Sequence, residues 1–262
     1  MSDAATPSPV RFEQDGDVGL ITLAAPPLNL FDRAMLDGLD AAIGEAEQTE
    51  LRSLIVHAEG RAFSGGVDVK MFQGMRAADL EAWDLVSIPQ RLEALPYPTL
   101  GVVHALCLTA GFELVLGCDL LWASESAKFG LVEKVVGVTP FMGGTQRVAE
   151  RAGPARAREF VMTGRPYPAA TLEQWGVVNR VLPDEELEPK ALAFAHELAA
   201  GPTLAHAATK QIVRAVLDGG VVAADAALVE TVGLVVESED FAGGVATFIE
   251  HGGPGHATFS GR

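Results

Sequence analysis

The chain has 262 residues, 48% of them hydrophobic, enough for one large domain or for a core with a smaller appendage. Lysine and arginine total 19 against 35 acidic residues, giving a net charge of −16. That balance favours solubility, and no basic cluster of the kind a nucleic-acid binder presents occurs along the sequence, so nucleic acid is excluded as a partner.

Met1 to Pro9 is small and polar and lacks an apolar secretory segment. Phe12 to Gln14 and Gly19 to Leu23 flank Asp15-Gly16-Asp17, turn residues that tolerate positive φ, and read as a β-hairpin. Ala24 to Pro27 breaks the pattern. Asp32 is a fair N-cap for a helix whose apolar positions are Met35, Leu36, Leu39, Ala42 and Ile43. Leu54-Ile55-Val56 reads as a strand buried on both faces. The segment Arg61 to Lys70 carries Gly65 and Gly66 followed by Asp68, a tight loop entering a helix. A second helix is predicted from Ala78 to Leu92, stopped by Pro96 and Pro98. Leu100 to Leu106 is the next strand, Thr109-Ala110-Gly111 a small-residue turn, Phe112 to Leu116 a helix and Leu120 to Ala123 a strand. Pro98 to Gly117 is nearly uncharged but is interrupted by Gly101, His104, Gly111 and Glu113, so it reads as a buried strand–turn–helix and not as a membrane span. A soluble, cytoplasmic protein with no membrane partner is expected. The repeating strand–loop–helix rhythm argues for a layered α/β core. Beyond Asp184 the patterns are helical and Ala-rich (Leu192 to Ala200, Leu204 to Leu217, Val222 to Val236), an all-helical appendage of the sort that packs on a neighbour or on the core.

Glu113 is the only formally charged residue between Pro98 and Gly117. A carboxylate in so apolar a run must be solvated, paired or functional, and burial there raises its pKa. It could equally be a first-turn helix glutamate satisfied by backbone N–H groups. Glu133, after Phe129-Gly130-Leu131-Val132, is unremarkable by itself, although two carboxylates are the raw material of paired acid/base chemistry. The Gly65-Gly66-Val67 loop and the Thr109-Ala110-Gly111 turn both lead into predicted helices. They could aim one N–H each at a single oxygen, or be tight turns with no ligand. Cys107 and Cys118 sit in apolar sequence and read as buried reduced thiols, and none of the six histidines has a partner at metal-ligand spacing. No Gly-x-Ser-x-Gly elbow supports nucleophilic hydrolysis.

Several co-linear segments resemble motifs of the crotonase (enoyl-CoA hydratase/isomerase) family. Arg61-Ala62-Phe63-Ser64-Gly65-Gly66-Val67-Asp68-Val69-Lys70 is similar to R-A-F-S-A-G-A-D-x-K. Pro98 through Glu113, with Cys118-Asp119, resembles the motif that ends G-G-G-x-E-L-x-x-x-C-D, and Phe129 to Glu133 resembles F-G-x-P-E. Pro140 to Arg147, Thr163-Gly164-Arg165 and Trp175 to Asn179 continue the likeness over nearly the whole chain. The resemblance implies an α/β fold, a spiral of repeated ββα units in residues 1–190, with a C-terminal helical region in residues 191–262 used for assembly as a homotrimer or a dimer of trimers. It implies an acyl-CoA thioester substrate, with coenzyme A part of the substrate and no separate cofactor or metal. Glu113 and Glu133 fall on the catalytic glutamates of the hydratases, and the N–H groups of Val67 and Ala110 on the oxyanion hole. Ala62, Ser64, Gly65, Gly66, Asp68, Lys70 and Gly111 fall on substrate-binding positions. The implied reaction is hydration of a trans-2-enoyl-CoA or its reverse. An enoyl-CoA isomerase, which commonly lacks the first glutamate, and a non-catalytic CoA-binding homologue are the alternatives. Departures from the pattern are Thr109-Ala110 within the usual glycine triplet, His104-Ala105 for Asn-Gly, Val132 for the proline before Glu133, and the loss of basic residues at Ala25 and around His251-Gly252. Lys70 keeps one expected CoA-phosphate cation, and Lys210 is a candidate substitute for the missing ones.

Overall fold

The computed structural model describes residues 8–262, so the first seven residues of the polar N-terminal stretch lie outside it. Strands β1 (Val10–Asp15) and β2 (Val18–Leu23) form the hairpin read from the sequence, paired antiparallel from Val10–Leu23 to Asp15–Val18. Helix α1 (Arg33–Gln48) starts at the expected cap, where Asp32 Oδ1 accepts from the Met35 N–H at 2.9 Å. Strand β3 (Ser53–Ala58) then pairs parallel with β2.

The expected helix from Ala78 to Leu92 is two helices, α2 (Ala77–Trp83) and α3 (Ser87–Ala94). The break falls at Asp84, whose φ of 41° is left-handed and ends the helix. The expected strand from Leu100 to Leu106 is likewise two, β4 (Thr99–Val103) and β5 (Leu106–Leu108). Here the chain turns through Ala105, with a φ of 51°, and moves from one sheet to another. Helix α4 (Ala110–Val115) follows, then β6 (Leu120–Ser124), β7 (Lys128–Gly130) and a 3-10 turn over Glu133–Val136. Helices α5 (Gly144–Ala152) and α6 (Pro154–Thr163), strand β8 (Tyr167–Pro168), helix α7 (Ala169–Gln174) and strand β9 (Arg180–Leu182) complete the core chain.

The larger sheet has the order β1-β2-β3-β4-β6-β9, parallel throughout except for the opening hairpin. The smaller sheet is β5-β7-β8. Strands β4 and β6 each hand the chain from the large sheet to the small one and then into a helical turn, so successive ββα steps stack side by side. Alternate strand residues face opposite ways. Ile21, Leu54, Val56, Val103 and Leu121 join α1 in the main core, whereas Val18, Ile55, Leu100, Val102 and Trp122 meet a second helix layer. That layer is α8 (Asp184–Ala199), which offers Leu187, Ala191, Ala195 and Ala199 at helical spacing and straddles residue 190.

Two helical patterns predicted from Leu204 to Val236 form one long element, α9 (Thr203–Val236), interrupted at Gly220. Helix α10 (Glu239–His251) follows. Of α9 only Ala208 and Ala224 are buried, while Val221, Val222, Val229 and Leu234 are exposed. Among the described residues α9 is the one helix long and apolar enough to cross a membrane, with a mean hydropathy of 1.7 over its most apolar window. The C-terminal tail is tied down: Arg52 donates to Phe259 O, Gly201 O and Thr203 Oγ1, and Asp240 accepts from the Ser260 and Gly261 N–H groups. Cys107 on β5 and Cys118 after α4 are buried free thiols. Burial pushes both up, Cys118 to about 12.

Candidate active site

Glu113 lies in α4, every residue of which is buried. Its position on the helix turns the carboxyl towards the loop that opens α5, where Oε1 accepts from the Met142 and Gly144 N–H groups, each at 2.9 Å. Gly144 is required at close range: a Cβ there would lie 2.8 Å from Glu113 Cγ. One turn further along α5, buried Arg147 clasps Glu93 through Nε (2.7 Å) and Nη2 (2.8 Å). Burial lifts the Glu113 pKa to about 7, with the two amides and the Arg147 charge acting against it.

Glu133 opens the 3-10 turn after β7 and is also buried. Among the described residues neither of its carboxyl oxygens has a hydrogen-bond partner. Its pKa rises to about 8, from burial first and the nearby Glu113 charge second. An unpartnered carboxyl in an apolar site is far cheaper as the neutral acid. Between about pH 7 and pH 8 the pair therefore favours a single proton, held on the unpartnered Glu133, with Glu113 ionised against its two N–H groups.

The two glycine-bearing turns run alongside each other. Ser64 bridges Cys107 in parallel, with Ser64 N donating to Leu106 O and Leu108 N to Ser64 O, both at 3.0 Å. Gly111 packs on the Ser64 side chain, and Gly66 on Thr109. Val67 and Ala110 then line one enclosed cavity of about 30 Å³ together with Glu113 and Glu133. The remainder of its lining is apolar, including Phe31, Met71, Phe72, Trp83 and Phe141. Space of that size accommodates roughly one or two waters. A shallower cleft of about 180 Å³ adjoins it, shares Val67, Phe72 and Glu133, and adds Gly65, Thr109 and Val136.

The other positions singled out in the sequence support the turns. Ser64 Oγ donates to Asn29 O and accepts from the Gly66 N–H. Ala62 is buried, and its carbonyl accepts from Asn29 Nδ2. Asp68 caps a 3-10 turn over Val69–Phe72 by accepting from the Lys70 N–H, and Lys70 itself is exposed. Lys210 does not serve as a free cation. Its Nζ pairs with Asp119 at 2.7 Å and donates to Tyr97 O, on a face that shares no residue with either cavity. Sequence reasoning missed Asn29, whose side chain ties the Ala25 N–H to Glu59 O and Ala62 O, and the Met142–Gly144 amides that hold Glu113. Asn29 follows an Ala-Ala-Pro-Pro breaker, which was the only signal available for it. Among the described residues no group of three His, Cys, Asp or Glu side chains is placed to hold a metal ion.

Residues 13–258 match the family model described as enoyl-CoA hydratase/isomerase. A "Probable enoyl-CoA hydratase" of Mycobacterium bovis is 31% identical over 256 residues, covering 94% of this chain and 96% of that protein. The short-chain-enoyl-CoA hydratase of Clostridium acetobutylicum is 28% identical over 246 residues, covering 92% and 94%. Among solved structures, an enoyl-CoA hydratase subunit I of Geobacillus kaustophilus superposes with a TM-score of 0.91 at 34% identity, over 97% of this chain and 98% of that one.

Proposed function

The chain belongs to the crotonase (enoyl-CoA hydratase/isomerase) family, and from that premise we propose that it adds water to a trans-2-enoyl-CoA to give a 3-hydroxyacyl-CoA, or runs the reverse dehydration. The observation that carries this reading is the small apolar cavity lined by both Glu113 and Glu133 beside Val67 and Ala110. One ionised and one neutral carboxyl are what hydration uses. Glu113 takes a proton from the water as its oxygen bonds to C3, and Glu133 delivers its proton to C2. Charge building on the thioester oxygen is stabilised by hydrogen-bond donors beside Val67 and Ala110. The cycle ends with the proton on Glu113, and it must return to Glu133 before the next turnover. The short span of buried space between the two groups favours that return.

A one-glutamate isomerase has no use for the amide clamp on Glu113. A non-catalytic binder would carry two costly buried carboxyls without function. No separate cofactor takes part in the proposed steps. The acyl group enters between Phe72, Trp83 and Phe141, where the inner cavity must widen beyond its volume of about 30 Å³ to admit it, while the CoA portion follows the outer cleft towards Lys70, with assembly into trimers through α9 and a cytoplasmic location completing the reading.

The test is the absorbance of the conjugated thioester after addition of crotonyl-CoA. Loss of the band with formation of the 3-hydroxy product supports the reading. Glu133→Gln and Glu113→Gln should each slow turnover by roughly 10²–10⁴-fold while leaving the fold intact. Wild-type turnover in Glu113→Gln would point to isomerisation, and binding without turnover in the wild type would leave a non-catalytic binder.

A further inference from the structure

Thr109 stands where the family motif has glycine, and it changes the resting state of the turn. Its backbone sits at φ 45°, ψ −122°, a region that glycine occupies freely and other residues only under strain. The side chain is buried, and Oγ1 accepts a hydrogen bond from the Val67 N–H at 3.1 Å. Gly66 makes room for it, since a Cβ at that position would lie 2.3 Å from Oγ1. The amide that the family pattern assigns to the oxyanion hole is thus already bound by a side chain of its own molecule.

A hydroxyl has one proton as well as two lone pairs. Among the described residues no protein group accepts the Thr109 O–H, and nothing accepts the Ala110 N–H beside it. Thr109 lines the outer cleft with Val67 and Glu133, whose unpartnered buried carboxyl marks the reacting centre. We propose that the Thr109 hydroxyl is a catalytic donor to the thioester oxygen. It works with the Ala110 N–H, and the Val67 N–H acts through it by donating to Oγ1. The inference rests on the acyl-CoA reading above. Val67 becomes a positioning residue that orients the hydroxyl and polarises it, since an O–H whose oxygen accepts a hydrogen bond is the stronger donor. No proton leaves Oγ1. The chain of hydrogen bonds strengthens as the enolate oxygen gains charge and weakens as C2 is protonated. The contrary arrangement is a plug, in which the hydroxyl only occupies the hole and must swing away before the Val67 amide can act.

Thr109→Ser, Thr109→Val and Thr109→Gly in the full chain separate the two. For a donor, Thr109→Val lowers kcat by about 10²-fold with KM within a few-fold, Thr109→Ser stays within about fivefold of wild type, and Thr109→Gly falls between them because the bare Val67 amide is uncovered. Bound 4-dimethylaminocinnamoyl-CoA supplies an independent readout, since its absorption band moves to the red as its carbonyl is polarised. The red shift should shrink in Thr109→Val and recover in Thr109→Ser. A Thr109→Gly variant at or above the wild-type kcat, or an unchanged band in Thr109→Val, would overturn the proposal. Wild-type protein that binds the chromophore without hydrating crotonyl-CoA sinks the hydratase reading alone, and the band positions still decide the role of Thr109.

Discussion

Glu113 and Glu133 are buried to similar extents but satisfied very differently, the first by two amides and the second by none. Both titrate above the ordinary carboxylate range, at about 7 and about 8. The folded chain therefore keeps protons that the unfolded chain has released from roughly pH 4.5 upward. Linkage then fixes the sign: stability contributed by these groups is complete at low pH and is lost as pH rises through the folded values. Removing the less satisfied carboxyl should recover it. Glu133→Gln is expected to be more stable than wild type at pH 8.5 by about 1–2 kcal/mol, or ~2–4 °C in Tm, and to show no such gain at pH 5. Thermal unfolding at the two pH values measures this, and parallel melting curves would contradict it. The same variant loses its proposed acid, so gain in stability and loss of turnover share one cause.

At the scale of elements, the position of Glu113 depends on the loop before α5. Gly144→Ala would set a Cβ 2.8 Å from Glu113 Cγ and 3.2 Å from its Oε1. The carboxyl must then shift, and kcat is expected to fall by about 10–100-fold with KM little changed, as steady-state kinetics with crotonyl-CoA would show. Nothing local to Glu113 announces that clamp, because Met142 and Gly144 stand 29 and 31 residues away. Elements fixed by local chemistry were legible: the Gly16 hairpin, the Asp32 cap and the apolar face of α1 all follow from neighbours in sequence. Breaks forced by tertiary structure were not. The sequence offers no breaker at Asp84 or Ala105, yet the chain turns through a left-handed residue at both, and at Ala105 it passes from the large sheet to the small one. The site was legible only as a set of motif positions. That its two glutamates line one cavity, and that Thr109 Oγ1 takes up the Val67 amide, are products of folding that no spacing encodes.

At the scale of the whole molecule, the described residues leave a large apolar surface exposed on α9 and α10. Val222 and Val229 on α9 are 82% and 83% exposed, and Phe248 and Ile249 on α10 are exposed too. Surfaces of that kind mark interaction sites. The Gly220 interruption and the charges Arg214, Asp218 and Asp225 on α9 argue for protein as the cover in preference to lipid. If α9 carries the proposed trimer contact, wild type elutes as an oligomer and Val222→Glu with Val229→Glu converts it to monomer, as light scattering after size exclusion would show; a monomeric wild type or an unchanged mass in the variant would refute that contact. The proposed thioester substrate also poses a hazard, since any thiolate within reach can capture its acyl group. The chain has two cysteines, and both are sealed in apolar surroundings that keep the sulfur protonated. On the proposed function, both thiols are thereby kept from capturing the activated acyl group, and the protein is protected from self-acylation.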